Sequence, residues 1–126
     1  MSPMAKRRID PAEGMAAVET WGRDPASASR GTLLTAVRFT LEELEALHPG
    51  RAVEVRVPPA GAVQILPGTT HRRGTPPAVG ETGMQVWLGL ATGRIRWEDA
   101  IGDGRVQASG ERTDLRELFP ILDRLR

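Results

Sequence analysis

The stretch VWLGLATGRIRWEDAIGDGRVQASGERTDLRELFPILDRL, residues 86–125, decides the fold. Its first apolar residues recur at helical spacing up to Gly93, a residue type that commonly ends helices in the left-handed conformation. A second short helix is predicted around residues 97–101, and residues 106–109 alternate as a strand does. The leucine-rich end predicts a closing helix with a kink or break at Pro120, because proline interrupts helical hydrogen bonding. The stretch thus predicts helix, short helix, strand and helix in one unit.

The segments before this stretch add another helix and a hairpin. Residues 32–47 repeat apolar side chains at helical spacing until Pro49-Gly50 ends the helix. In residues 51–59 the valines alternate with charged side chains, which is typical of a half-buried antiparallel strand, and residues 62–66 repeat the alternation. A hairpin is therefore predicted. In HRRGTPPAVGET, residues 71–82, the adjacent prolines lack amide donors, so we expect an irregular edge strand there.

We predict that the N-terminal part of the chain forms an arm that precedes the domain. Asp10 can cap a short helix that starts at Pro11 and runs through about Trp21. Residues 22–31, GRDPASASRG, are small and polar, which predicts a mobile connector. We therefore divide the 126 residues into an arm with a short helix and flexible connector, 1–31, and one domain, 32–126.

Composition excludes several classes of protein. The chain has no cysteine, so it has neither disulfides nor thiolate chemistry, and a cytoplasmic location is expected. Its 17 basic and 16 acidic residues are interspersed, which argues against nucleic-acid binding. No apolar run is long enough for a signal peptide or a membrane span, so we expect no stable membrane insertion.

No catalytic or cofactor signature stands out. Nucleophile elbows, P-loops and dinucleotide fingerprints are missing, and Glu81, Asp99 and Asp103 lie in contexts typical of caps and turns. His71 has no second ligand at metal-binding spacing. We predict a protein that is not an enzyme and has no cofactor and no metal site.

The runs WLGLATGRIRWEDAIGDGRVQASG and LRELFPIL, residues 87–110 and 115–122, resemble the C-terminal half of sterol carrier protein 2-like domains. The run PGRAVEVRVPPAGAVQILPG, residues 49–68, together with residues 71–82, looks like the bacterial, especially actinobacterial, branch of that family. The likeness covers about residues 32–126 and lies in the order of the motifs.

The resemblance implies an α/β sandwich, in which helices cover a curved, mainly antiparallel sheet of about five strands and leave room for an apolar cavity. It also implies non-enzymatic binding or transfer of a lipid-like ligand, such as a fatty acid, an acyl-CoA or a sterol-like molecule. An alkyl ligand needs continuous apolar walls, since each buried CH₂ contributes about 0.8 kcal/mol. The candidate wall residues are Val63, Ile65, Trp87, Leu90, Ile95, Trp97, Ile101, Leu118, Phe119 and Leu122.

Two further hypotheses concern the surface and the core. The basic loop His71-Arg72-Arg73 could bind an anionic head group, because arginine offers paired donors in a planar fork, although such a loop can also be only solvated. The candidate wall residues could equally fill a solid core. The chain would then be a protein–protein interaction or accessory module, with a homodimer as one form. The sequence leaves the carrier and the module open.

Overall fold

The computed structural model describes residues 8–68, 78–110 and 114–122. In this part of the chain the elements are, in order, α1 (Pro11–Arg23), α2 (Arg30–Leu47), β1 (Pro49–Val57), β2 (Gly61–Ile65), β3 (Ala78–Glu81), α3 (Met84–Thr92), α4 (Trp97–Gly102) and β4 (Gln107–Ser109). Two 3₁₀ turns, Pro25–Ser27 and Arg116–Leu118, complete the described structure.

The strands form a mixed sheet in the order β2-β1-β3-β4. β1 pairs with β2 in antiparallel fashion, with Val55 opposite Val63, and with β3 in parallel fashion, with Val55 opposite Gly80. β4 is antiparallel to β3. The predicted α/β fold and the hairpin are confirmed, with four strands in the described residues instead of about five.

The expectation of an irregular edge strand in residues 71–82 is wrong for its last part. β3 pairs with β1 on one side and with β4 on the other, so it lies inside the sheet. The run that forms β3 contains no proline, and its amides are therefore available to both neighbours. Both prolines of this segment, Pro76 and Pro77, lie outside the described residues.

The alternation in β1 produces the two faces that the sequence predicts. Val53, Val55 and Val57 are buried, whereas Arg56 is exposed. On the outer face Arg56 donates a hydrogen bond to Glu54, which holds the pKa of the Arg56 guanidinium above its ordinary value. β1 thus supplies one apolar wall to the core.

α2 is the longest helix, and it packs on both β1 and β2. It begins at Arg30, earlier than predicted, because the Ser29 hydroxyl accepts a hydrogen bond from the Thr32 amide at 3.1 Å and caps the helix. Its predicted apolar stripe is largely buried, but Leu47, at the last position of the helix, is 57% exposed.

α1 docks closely on α2. Asp10 caps α1 as predicted by accepting a hydrogen bond from the Glu13 amide at 3.2 Å, and the helix buries Val18 and Trp21. Gly14 faces Phe39 of α2 so closely that a Cβ built on the glycine lies 2.2 Å from Phe39 Cγ. The absence of a side chain at Gly14 therefore sets the distance between the two helices.

Residues 22–31, the expected mobile connector, contain the 3₁₀ turn Pro25–Ser27 and the start of α2. Two side chains from the later part of the chain donate to carbonyl oxygens of this segment: Arg94 to Gly22 at 2.8 Å and Gln85 to Pro25 at 2.9 Å. The connector is thus tied to α3 and to the turn after it. The division into an arm and a domain stays a prediction.

The closing segment, which we define as residues 114–122, differs from the predicted helix. Within it only the turn Arg116–Leu118 is helical, and Phe119 is extended at φ −112° and ψ 145°. The predicted break is confirmed, because a residue before a proline is disfavoured in the helical region and Pro120 has no amide to donate. Leu125, the last leucine of the predicted closing helix, lies outside the described residues.

The contact between α1 and α2 yields a stability prediction. Gly14→Ala should lower the free energy of unfolding by about 1–3 kcal/mol, because the new methyl group overlaps the Phe39 ring. The matched control is Gly31→Ala in the first turn of α2, where the new Cβ has only Ser29 Oγ nearby at 3.9 Å. The control should be neutral or stabilising by up to about 1 kcal/mol. Urea unfolding followed by circular dichroism measures both, and equal effects would contradict a tight α1–α2 contact.

Candidate ligand-binding site

α3 carries the central side chains of the candidate site. Its predicted stop is confirmed: Gly93 caps it at φ 83°, in the left-handed conformation. Trp87, Leu88 and Leu90 are all buried, so the helix is apolar on more than one side. Gly89 faces the turn after α3, where a Cβ would lie 2.4 Å from Ile95 Cδ1. This close approach folds the chain back toward α4.

The orientation of Trp87 is fixed by a buried hydrogen bond. Its indole Nε1 donates to the Thr40 hydroxyl at 2.8 Å. The same hydroxyl lies 2.8 Å from the Ala36 carbonyl oxygen, to which it donates one turn back in α2. A buried indole N–H needs an acceptor, and Thr40 supplies it from the middle of the neighbouring helix.

A small cavity, which we call the apolar slot, lies between the sheet, α3, α4 and the closing segment. Its volume is about 10 Å³. The lining residues are Val55, Gly80, Glu81, Thr82, Trp87, Leu90, Trp97, Val106, Leu115 and Phe119. A space of this size holds at most about one water molecule, so the slot is closed to larger ligands in this conformation.

Three aromatic rings meet at the outer end of the slot. Phe119 stacks on Trp97, with ring centroids 5.7 Å apart and an interplanar angle of 8°. It meets Trp87 edge to face, at 5.6 Å and 83°. Both arrangements are favourable aromatic geometries. Phe119 therefore connects the closing segment to α3 and α4 at once.

A second cavity, the outer groove, lies on the other side of these rings. Its volume is about 420 Å³. Its lining residues are Gly93, Ile95, Arg96, Trp97, Glu98, Arg116, Glu117, Phe119 and Pro120. Trp97 and Phe119 line both the slot and the outer groove, so their stacked rings form the wall between the two spaces.

Charges of both signs line the outer groove. Arg96 pairs with Glu98 at 2.9 Å, and Arg116 pairs with Asp114 at 2.9 Å. Hydrogen bonds from Arg116 hold the pKa of the Asp114 carboxyl below its ordinary value. A backbone hydrogen bond, followed by one from Arg96, lowers the pKa of Glu98 in the same way. These pairs are exposed, so each contributes little to stability.

Comparison with known families identifies the architecture around these cavities. A family model described as bacterial SCP ortholog matches residues 29–121 of the 126. The chain belongs to the bacterial sterol carrier protein family. Membership suggests a lipid-binding or carrier role, and domains of this kind are generally not catalytic. No curated protein matches the chain.

In this sterol carrier protein domain the predicted wall residues separate into groups. Trp87, Leu90, Trp97 and Phe119 line the apolar slot together. Ile95 lines the outer groove beside Trp97 and Phe119. Their role as ligand contacts stays a prediction.

The other predicted wall residues lie outside the lining of the apolar slot. Ile65 is buried in β2, and Leu122 is buried at the end of the closing segment. Leu118 is half-buried against the core, whereas Ile101 is 38% exposed on α4. Val63 faces a different groove, between α2 and β2. The proposed head-group loop His71-Arg72-Arg73 lies outside the described residues.

Besides Gly80, Glu81 and Thr82, the slot has three apolar lining residues that the sequence does not predict as walls: Val55, Val106 and Leu115. The period of two predicts Val55 and Val106 as inward-facing strand residues, and both are buried, although β4 begins one residue after Val106. Their contact with α3 and α4 required the tertiary arrangement. Leu115 was assigned to a helical stripe that the structure replaces with a 3₁₀ turn.

The groove between α2 and β2 has a volume of about 820 Å³, but its walls are more polar. Glu42 accepts hydrogen bonds there from the backbone amides of Arg8 and Ile9 at 3.1 and 3.2 Å. Arg38 donates to the Ala60 carbonyl oxygen at 3.0 Å. Charged side chains that bind backbone groups make a poor wall for an alkyl chain, because burying them under apolar surface would remove them from water.

The described residues contain no cluster of three or more potential metal ligands. Of the three carboxylates in predicted caps and turns, Glu81 lies in β3, Asp99 lies in α4, and Asp103 follows α4 and pairs with Arg105 at 2.9 Å. In the same part of the chain no helix is both long and apolar enough to cross a membrane.

The Trp87–Thr40 hydrogen bond yields the next prediction. Thr40→Val leaves the indole N–H buried without an acceptor, and it should lower the free energy of unfolding by about 1–3 kcal/mol. Thr92→Val is the matched control, because the buried Thr92 hydroxyl donates back within α3, to the Leu88 and Gly89 carbonyl oxygens. The control should lose less than about 1 kcal/mol. Urea unfolding with tryptophan fluorescence measures both, and equal losses would argue against the buried bond.

Proposed function

We propose that this domain binds and transfers a lipid-like ligand without catalysing a reaction, and that the alkyl part of the ligand occupies the apolar slot. The ligand class includes fatty acids, acyl-CoA and sterol-like molecules. Family membership supports the general role. The observation that carries the choice of site is the convergence of apolar side chains from the sheet, α3, α4 and the closing segment on one cavity.

The energetics favour this site over the polar groove beside α2. Removal of alkyl surface from water contributes about 0.8 kcal/mol per CH₂, and only apolar walls make that gain without desolvating charges. The slot has valine, leucine and tryptophan side chains on its walls. The adjoining outer groove supplies polar and charged side chains for a head group.

The slot must enlarge when a ligand binds. Its volume is about 10 Å³, whereas ligand pockets usually measure about 300–1,000 Å³. The outer groove, at about 420 Å³, lies directly beyond the aromatic wall. Ligand binding therefore requires displacement of part of that wall, so that the two spaces join.

The polar groups on the slot walls are consistent with a site that binds a ligand and does not catalyse a reaction. The Thr82 hydroxyl donates to the Arg105 carbonyl oxygen at 2.7 Å and thereby links the end of β3 to the residues before β4. Glu81 lies at the end of β3, where Arg56 is its partner in the strand register. The positions of Thr82 and Glu81 are explained by the packing of the sheet, and we assign neither residue a catalytic role.

A second candidate function is a protein–protein interaction or accessory module with a filled core, with a homodimer as one possible form. The small volume of the slot favours this alternative, since a core without space needs no ligand. Leu47, 57% exposed at the end of α2, offers one apolar contact for a partner.

Native mass spectrometry of the protein purified from its own host separates the two functions. The carrier predicts a bound small molecule of defined mass, which denaturing extraction releases and identifies as a lipid or acyl-CoA. The module predicts a ligand-free protein in a defined oligomeric state. A ligand-free protein that also fails to bind added lipids would contradict the carrier.

Isosteric substitutions on β1 test the location of the site. Val55→Thr places a hydroxyl on the wall of the slot, and it should weaken binding of a fluorescent fatty acid about tenfold. Val53→Thr is the matched control, because Val53 is equally buried on the same face of β1 but does not line the slot. The control should bind within about twofold of the wild type, although both variants lose stability. Equal weakening in both variants would place the ligand elsewhere.

A further inference from the structure

Of the walls around the apolar slot, α3 and β1 are fixed in place. Trp87 on α3 donates its buried hydrogen bond to Thr40, and Leu90 is buried on the same helix. β1 has a hydrogen-bonded strand on each side. Displacement of either wall would expose core side chains and break several backbone hydrogen bonds.

The closing segment buries Leu115 and Leu122, but it has fewer backbone hydrogen bonds to the rest of the protein. Within the described residues, its backbone hydrogen bonds to the rest of the protein run from the Ile121 and Leu122 amides, both at 2.9 Å, to a single acceptor, the Ala91 carbonyl oxygen. The side-chain bond to the first amide of its turn Arg116–Leu118 comes from Asp114, which belongs to the same segment. Segments with few backbone hydrogen bonds to the rest of the fold open at lower free energy than core elements, so this wall is the one that can move.

Phe119 is the part of the closing segment that separates the slot from the outer groove. Its half-buried ring lines both spaces, stacked on Trp97 and edge to face with Trp87. If the ring leaves this position, the slot opens directly into the outer groove.

We infer that Phe119 is an intramolecular plug: its ring occupies the place that the alkyl end of the ligand takes against Trp97 and Trp87. The inference rests on the proposed function and adds the regulation of the same site. Ligand and plug compete for the two tryptophans, so the chain binds ligand only in the fraction of molecules in which the closing segment has moved away.

Competition fixes the direction in which a Phe119 variant changes affinity. The apparent affinity of a site is reduced by the fraction of molecules in the competent state, and loss of the plug raises that fraction. Since each aromatic pair contributes modestly, Phe119→Ala should bind ligand about tenfold more tightly than the wild type. If Phe119 were instead a wall that contacts the ligand, the same substitution would weaken binding. The two roles predict opposite signs.

The experiment uses a stearic acid dibrominated at mid-chain, because bromine quenches tryptophan on contact. Trp87 and Trp97 flank the plug, whereas Trp21 on α1 lines neither the slot nor the outer groove and serves as a background signal. The full chain is titrated as wild type, Phe119→Ala, Phe119→Leu and Leu118→Ala. Leu118 belongs to the same segment but lines neither the slot nor the outer groove, so it is the matched control.

The plug predicts quenching in all four proteins, with Phe119→Ala about tenfold tighter, Phe119→Leu about threefold tighter and Leu118→Ala within about twofold of the wild type. Phe119→Leu retains an apolar side chain, so it decides the matter if the alanine variant fails to fold. Wild-type binding with equal or weaker binding by the Phe119 variants overturns the plug and leaves the proposed function standing. An equal gain in Leu118→Ala also overturns it, because loosening of the segment would then suffice. No quenching in any protein overturns both proposals.

Discussion

The hydrogen bond from the Trp87 indole to the Thr40 hydroxyl is the constraint on which the candidate site depends. It joins the middle of α2 to the middle of α3 inside the core, where an unpaired N–H would be costly. Because Thr40 also donates to its own helix, the acceptor cannot rotate freely. The hydrogen bond therefore fixes the position of Trp87 in the wall of the slot. Phe119 packs edge to face on Trp87, and Trp97 stacks on Phe119 in turn.

Two glycines and one proline then shape the space around this anchor. Gly14 brings α1 against α2, and Gly89 brings Ile95 against α3, in each case because no side chain intervenes. Pro120 ends the last helical turn, so the backbone at Phe119 is extended instead of helical. A regular closing helix would place its apolar residues on one continuous stripe. The broken segment instead sends one aromatic ring between two tryptophans.

Local patterns made much of the fold predictable from the sequence. The period of two in β1, the helical spacing in α2 and the glycine after α3 each predicted the element that the structure has. The place of β3 in the sheet was not predictable in this way, because its parallel pairing with β1 is a long-range choice that the adjacent prolines obscured. The same limit applies to the site. The sequence identified Trp87, Leu90, Trp97 and Phe119 as apolar candidates, but Ile101 and Val63 have the same apolar character and lie elsewhere.

The bonds to Ala91 bear on the order in which the structure forms. The last carbonyl groups of a helix have no partner within it, and here the one at Ala91 receives the amides of Ile121 and Leu122 from the far end of the chain. Local contacts form early in folding, whereas contacts between distant residues must wait for the chain to close a long loop. The final turn of α3 is thus completed by the last described residues to be synthesised. A nascent chain that still lacks the closing segment has no Leu115 and no Phe119 to complete the slot.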